Sequence, residues 1–452
     1  MHISRHVLSL SHKCIGALLA VMKKIEIIIN EFGPLSNQTI TLAPFMIFTG
    51  KSGLGKSYAN YLTYYFFSSF TEGRLKGLVE NKIKKDRTDQ QFTITEDELR
   101  QWLNNEVEEF MRDFLGDGSL ICNVNFIFSL GDDKILNISY TKEDLKKELQ
   151  ETLESQRIIM ADVTINSSSK SHIYEFTPDE TSSSITRVLG QYLQKNLFEQ
   201  YFVKSIILPP ARGAYVGENY TTKDRIASST GMYRLFLRDS DQSQIPFPVE
   251  KADRQFFTSQ IERLIDGKLV SEKGLQSLEL PNGHKIPLTA SASSIKELSP
   301  LLFYTMNWPN MPLSICLEEP EAHLHPDMQV DIANLLAALF NKQYFLQLTT
   351  HSDYFLQRIN QLIKIGYIRQ EQPEAYKQLC KDQKLNNRFY LDANQIKAYY
   401  FHADENHQSH VEELKIGRNG IPFSTFFDTV KRLREEEDNL NDILDSYGGT
   451  SD

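Results

Sequence analysis

Eight consecutive residues limit what this chain can fold into more than any other stretch. They are Gly50-Lys51-Ser52-Gly53-Leu54-Gly55-Lys56-Ser57, a complete G-x-x-x-x-G-K-[ST] phosphate loop. Such a motif carries meaning only between a strand and a helix. Here the apolar run Phe45-Met46-Ile47-Phe48 leads into it and reads as a buried strand. Behind it, Tyr58-Ala59-Asn60-Tyr61-Leu62 reads as the first turns of a helix. Gly50, Gly53 and Gly55 let the backbone close around an anion with no Cβ in the way, and the helix N-terminus adds its partial positive charge. Lys56 is placed to reach the β- and γ-phosphates of a nucleoside triphosphate such as ATP, and the Ser57 hydroxyl to take a position on Mg²⁺.

A length of 452 residues gives ample material for a large core and about three domain-sized units. The net charge of -10 argues against a protein that coats nucleic acid by bulk electrostatics, though it leaves room for a local basic patch. Cys14, Cys122, Cys316 and Cys380 are scattered with no C-x-x-C pair. That usage argues against a disulfide framework or a zinc site and fits a reducing cytoplasm. Residues 1–21 combine His and Lys/Arg with the short apolar run Ile15–Val21, too short to span a bilayer, and a strand pattern starts directly after Met22. We expect 1–21 to be an upstream extension and Met22 the natural start.

Along the chain, Lys24–Asn30 and Gln38–Leu42 read as strands joined through Phe32-Gly33-Pro34-Leu35. Residues 71–115 read as charged and helical, with Trp102, Leu103, Val107, Phe110 and Phe114 at helical spacing. Gly131-Asp132-Asp133 predicts a hairpin between strands at 121–130 and 134–140, followed by a charged helix at 142–155. A second hairpin is expected from 157–165 and 172–176, a helix over 180–203, a strand at 204–208, and helical residues through 221–270. Asn282-Gly283 marks a third hairpin. No heptad run appears in the two hundred or so residues after the phosphate loop, so what is inserted there is compact rather than a coiled coil.

A second motif then appears. Leu313-Ser314-Ile315-Cys316-Leu317 reads as a buried strand ending in Glu318 and Glu319, and a helix from Met328 to Phe340 leads to another strand ending in Thr349-Thr350-His351-Ser352. In nucleotide hydrolases the first acid after such a strand sits on the Mg²⁺ side and the next orients and deprotonates water. Adjacent residues at a strand end point in different directions, which suits that division. A histidine at the end of a neighbouring strand is placed to sense the γ-phosphate.

The run Glu318-Glu319-Pro320-Glu321-Ala322-His323-Leu324-His325-Pro326, followed after one helix by Thr349-Thr350-His351-Ser352, resembles the ABC-type ATPase core of the overcoming-lysogenisation-defect (OLD) group, a relative of the RecF and SMC ATPases. The resemblance extends to Phe32-Gly33-Pro34, the phosphate loop, residues 288–353, and the Pro-x-x-Arg element Leu208-Pro209-Pro210-Ala211-Arg212. It implies an α/β P-loop NTPase of ABC-ATPase type, a mixed sheet flanked by helices, with a helical and hairpin insertion between the phosphate loop and a signature region. The implied units are 22–70 with the phosphate loop, 71–275 as insertion plus part of the ATPase lobe, and 276–452 with the signature-like loop, the carboxylates and the switch histidine.

Carried over by position, Lys56 and Ser57 are phosphate-loop ligands, Glu318 the Mg²⁺-side acid, Glu319 the general base, His351 the switch histidine, and Pro320–His325 a loop crossing to a partner subunit. A signature-like turn would complete the site in trans, and Ser293 and Ser294 in Ser291-Ala292-Ser293-Ser294-Ile295 are its candidates, with the family's glycine replaced near Ser294 or Ile295. No glutamine loop is assigned. Arg212 reads either as a phosphate sensor or as an ion-pair arginine. His323 and His325 are read as loop residues rather than zinc ligands.

After His351, a hairpin from 395–402 and 410–416 and a closing helix over 422–445 are expected to complete the sheet and its cover, with Glu435–Glu437 as a solvated face. The implied protein is a cytoplasmic ATPase without its own effector. It forms a homodimer or higher homo-oligomer around ATP and Mg²⁺, with no membrane partner. Stand-alone ATPases of this resemblance serve as sensor subunits of anti-phage systems such as Septu and PARIS, beside a separately encoded nuclease or toxin, with DNA or a phage component as trigger. The alternative is a RecF-like DNA-repair ATPase on duplex DNA.

Overall fold

The computed structural model describes residues 22–71, 73–84, 89–144, 159–167, 169–175, 180–216, 231–243, 251–272, 275–307, 311–422 and 424–447. The extension expected at 1–21 lies outside them, as do residues 145–155 of the helix expected at 142–155. The chain opens with the antiparallel pair β1 (Glu26–Phe32) and β2 (Leu35–Thr41), then β3 (Phe45–Gly50) and α1 (Lys56–Ser69). Next come α2 (Lys76–Glu80), β4 (Asp89–Thr95), α3 (Glu96–Leu115), β5 (Cys122–Ile127), β6 (Ile135–Asp144) and the hairpin β7 (Ile159–Ile165)–β8 (Ser169–Glu175). After these follow α4 (Thr181–Phe198), β9 (Lys204–Leu208), α5 (Gly231–Ser243), α6 (Lys251–Ile265), and the three short strands β10 (Lys268–Glu272), β11 (Leu275–Glu279) and β12 (Lys285–Pro287). The last part holds α7 (Ser293–Asn307), β13 (Leu313–Glu318), α8 (Pro326–Phe340), β14 (Phe345–Thr350), α9 (Asp353–Glu371), α10 (Pro373–Asp382), β15 (Ile396–Ala403), β16 (Ser409–Leu414) and α11 (Ser424–Tyr447).

Nine of the described strands make one mixed sheet in the order β5-β1-β2-β16-β15-β3-β14-β13-β9. From β15 to β9 every neighbour is parallel, which aligns the C-terminal ends of β3, β14 and β13 along one edge. Buried on both faces, these central strands are near-continuous apolar runs, as parallel strands between helix layers must be. Phe67 of α1 touches Phe345 of β14, whereas Phe340 of α8 touches Phe45, whose register partner is Leu346. Neighbours along a strand point to opposite faces, so α1 and α8 cover opposite sides of the sheet. The architecture is an α/β fold with a large mixed sheet flanked by helices.

Local chemistry explains where the elements start and stop. Thr95 and Glu98 form a reciprocal capping box at the start of α3, and Gly116, at φ 71, ends it. Ser352 caps α9 by accepting from the Phe355 amide at 3.2 Å. A cluster of Phe66, Phe67, Phe70, Phe198, Phe202 and Phe345 locks α1 to α4 and to the sheet by edge and tilted ring contacts.

Three expectations for the inserted part need correcting. The strands around Gly131-Asp132-Asp133 are not a hairpin. β5 pairs with β1 at the edge of the main sheet, while β6 pairs with β4 and β7 in a separate four-stranded sheet. The turn is captured by other elements instead of folding back: Asp133 accepts from Tyr192 and Asn196 of α4, and the Glu96 carboxylate accepts from the Leu130 amide. Residues 71–115 are not helical throughout, because Phe92 and Ile94 alternate with Thr93 and Thr95 and form β4. Finally, residues 142–144 extend β6 instead of opening a helix.

Candidate functional site at the strand ends

Gly50 ends β3 at φ 125, and a Cβ there would stand 2.1 Å from the carbonyl oxygen of Phe401 on β15. Gly55, at φ 93, would drive a Cβ to 2.6 Å from Leu35. Both positions therefore require glycine for backbone conformation and for space. The loop is held from outside as well. The Lys51 amide donates to the Phe401 carbonyl at 3.3 Å, and the Ser409 hydroxyl donates to the Leu54 carbonyl at 2.6 Å.

Inside the loop, Lys56 Nζ donates to the Lys51 carbonyl at 2.6 Å, so the ammonium lies over the loop's own backbone. Burial brings the Lys56 amine down to about 8, opposed by the nearby charges of Glu318 and Glu319. Ser57 Oγ donates to Glu318 Oε2 at 2.6 Å, Thr349 Oγ1 donates to the same oxygen at 2.9 Å, and Asn60 Nδ2 donates to Glu318 Oε1 at 2.8 Å. Burial raises the Glu318 carboxyl above its ordinary range, against the pull of those three donors. A hydroxyl and a carboxylate brought into contact under a phosphate loop form the hard-oxygen donor set that suits Mg²⁺. The residues thus fit the ion that the sequence implies.

The next acid behaves differently. Glu319 leaves the strand at φ 45, a left-handed conformation that costs a non-glycine residue on the order of 1 kcal/mol or more. Its amide donates to the Thr349 carbonyl and hydroxyl oxygens, both at 3.2 Å. This turn swings the carboxylate out of the core, where it is half-exposed, and Glu319 Oε1 lies 3.9 Å from His351 Nε2. Burial and then the charge of Lys56 lower the His351 imidazole below its usual value, with Glu319 acting the other way. Glu321 supports this edge from behind: its Oε1 accepts from the Thr350 hydroxyl and from the His351 amide, each at 2.7 Å.

Lys56, Ser57, Glu318, Glu319 and His351 therefore meet at one edge although three separate stretches supply them. Sequence reading overlooked Asn60, Thr349 and Glu321. Asn60, one helical turn after Ser57, carries an amide in the otherwise apolar and hydroxyl-bearing face of α1, and a polar side chain there was the available signal. Thr349 pairs with Glu318 in the β13–β14 register.

Ser293 and Ser294 open α7, Ser293 exposed, and no hydrogen bond joins either of their hydroxyls to the phosphate loop among the described residues. Arg212 is buried and bonded to backbone carbonyls, so its guanidinium faces no solvent-accessible phosphate position. His325 caps α8, its Nδ1 accepting from the Asp327 amide at 3.4 Å, and His323 is exposed. Among the described residues no helix is long and apolar enough to cross a membrane.

Residues 244–356 match the AAA ATPase domain family. That span takes in both carboxylates, His351 and the start of α7, and it leaves out the phosphate loop. Among solved structures, the chain is similar to an SMC head bound to the C-winged helix domain of ScpA, at 13% identity over 88% of this chain and 98% of that one, with a TM-score of 0.36. It is also similar to the SMC head domain from Thermotoga maritima, at 11% identity over 87% of this chain and 99% of that one, with a TM-score of 0.31. A third is the Pyrococcus furiosus Smc head with an extended coiled coil, bound to the C-terminal domain of ScpA, at 11% identity, 93% and 100% coverage and a TM-score of 0.32. No curated protein matches the sequence.

Proposed function

We propose that the chain is an ATPase of the ABC type that closes head-to-tail with a second copy around ATP and Mg²⁺. The observation that carries this reading is the contact of the half-buried Ser57 with the buried Glu318, made across the sheet edge between the phosphate loop and the carboxylate strand. Mg²⁺, when bound, supplies charge neutralisation at the phosphate oxygens. Ser57 and Glu318 hold its position, with Asn60 and Thr349 fixing the Glu318 carboxylate. Lys56 binds the terminal phosphates. Glu319, turned out of the strand, orients water and takes its proton, and His351, which burial and Lys56 shift toward the neutral form, accepts or donates a hydrogen bond there.

Ser293 and Ser294 of the second copy present hydroxyls and helix-terminal amides to the γ-phosphate. ATP then favours the closed pair and hydrolysis releases it, which makes turnover a switch on assembly. By the motif resemblance, that switch would serve a separately encoded nuclease or toxin in anti-phage defence, with this chain as sensor and scaffold.

Glu319→Gln tests the chemistry. Turnover is expected to fall about 10²–10⁴-fold while ATP binding persists, and the associated form should accumulate with ATP in light-scattering mass measurements. Hydrolysis at the parent rate would remove Glu319 from the base role, and an unchanged mass with ATP would remove the closed pair. Purification from the native source, with identification of co-eluting chains, tests the effector: a lone ATPase with no partner contradicts the scaffold role.

A further inference from the structure

Arg212 is the bulkiest of the fully buried side chains, 1% exposed, and its ion pair with Glu297 is a long one. The Glu297 carboxylate stands 3.7 Å away, and its Oε2 accepts no hydrogen bond among the described residues. The guanidinium donates instead to backbone: Nε to the Glu297 carbonyl at 2.8 Å, and Nη1 to the carbonyls of Glu318 at 2.7 Å and Pro209 at 3.2 Å. Burying a cation on three carbonyls and one distant carboxylate is a costly way to fill space. The two carbonyls it bridges are the informative part.

One belongs to the first turns of α7, the helix that opens with Ser293 and Ser294. The other belongs to the peptide between Glu318 and Glu319, whose amide is held from the opposite side by Thr349. That peptide directly precedes the left-handed φ of Glu319 and so sets where its carboxylate points. The turn carrying Arg212 also lies hard against α7, since a Cβ at Gly213 would come within 2.8 Å of Glu297 Oε1.

We propose that Arg212 is a positioning residue that couples the serine turn of α7 to the direction of the Glu319 carboxylate. A shift of α7 as its serines engage the partner's nucleotide passes through one rigid guanidinium to the Glu318–Glu319 peptide. Hydrolysis in one copy is thereby tuned by whether that copy's α7 is docked. The proposal rests on the ATPase reading above, and its test has an arm that needs no nucleotide.

In nucleotide-free protein, Arg212→Lys should speed amide hydrogen exchange in 291–299 and 316–323 together and leave the β15–β16 hairpin unchanged. With ATP, Arg212→Lys should keep its affinity to within about threefold and lower kcat about a hundredfold at nearly constant KM. Arg212→Met, which has no donor, should fall at least as far, and its melting temperature separates this from unfolding. Exchange rising in only one of the two segments, or across the whole chain, overturns the coupling, as does turnover at the parent rate. A parent chain that hydrolyses no ATP sinks the ATPase reading, and the exchange arm then decides the linkage alone.

Discussion

At the strand-end edge, Ser57, Asn60 and Thr349 already spend their donors on Glu318, and Lys56 spends one on the loop. At the start of α7, Ser293 is exposed and the side chains of Ser293 and Ser294 make no hydrogen bond among the described residues. One region is built to be rigid before any ligand arrives, which lowers the cost of organising a phosphate site. The other keeps its hydroxyls open. The contrast teaches that, among the described residues, polar groups are already paired on the loop side and not at the start of α7.

The largest effect on this contrast should come from Lys56→Ala. We expect ATP affinity to weaken at least about a hundredfold, some 2.7 kcal/mol, by titration calorimetry. Binding near the parent affinity would mean that the loop side is not the primary phosphate site. The double substitution Ser293→Ala with Ser294→Ala should leave that calorimetric affinity of the isolated chain intact. It should weaken ATP-driven association by about 1.5–3 kcal/mol, the range for hydrogen bonds to charged groups. If monomer affinity falls instead, the serines serve their own loop and the contrast dissolves.

The smallest effect is on pH. A lysine brought down to about 8 is progressively uncharged as pH rises through that value, whereas bound phosphate favours the charged form. ATP affinity should therefore be flat below about pH 7 and fall by up to roughly tenfold per unit above 8. Lys56→Ala should abolish that dependence. A flat profile from pH 6 to 9.5 in the parent would show that the amine stays charged.

Legibility from the sequence tracked how local the signal is. The phosphate loop, the strand ending in Glu318 and Glu319, and the strand ending in His351 are written in consecutive residues, and the fold brings them together as their types demand. The β15–β16 hairpin was readable as a hairpin that would join the sheet, but its place beside β3 was not, because that pairing joins segments roughly 350 residues apart. The Gly131-Asp132-Asp133 turn misled because a turn signal says that the chain bends, not which strand it pairs with afterwards. Residues far away, Tyr192 and Asn196 among them, decide that. Arg212 was visible as a motif, but its role depends on which carbonyls lie within 3 Å, and periodicity carries no such information.

The strand neighbouring β3 on one side, β15, is made roughly 350 residues later than the phosphate loop it supports through the Phe401 carbonyl. At ordinary synthesis rates of about 5–20 residues per second, roughly 20–70 s separate the two on the ribosome. Through that interval Phe45–Gly50 emerges as an apolar strand with an unpaired edge, the kind of segment that chaperones retain. Closing so long a loop makes this pairing a slow, late event. A nascent chain truncated before β15 should consequently be protease-sensitive at the phosphate loop, and a premature stop ahead of β15 should cost the loop its shape as surely as a substitution within it.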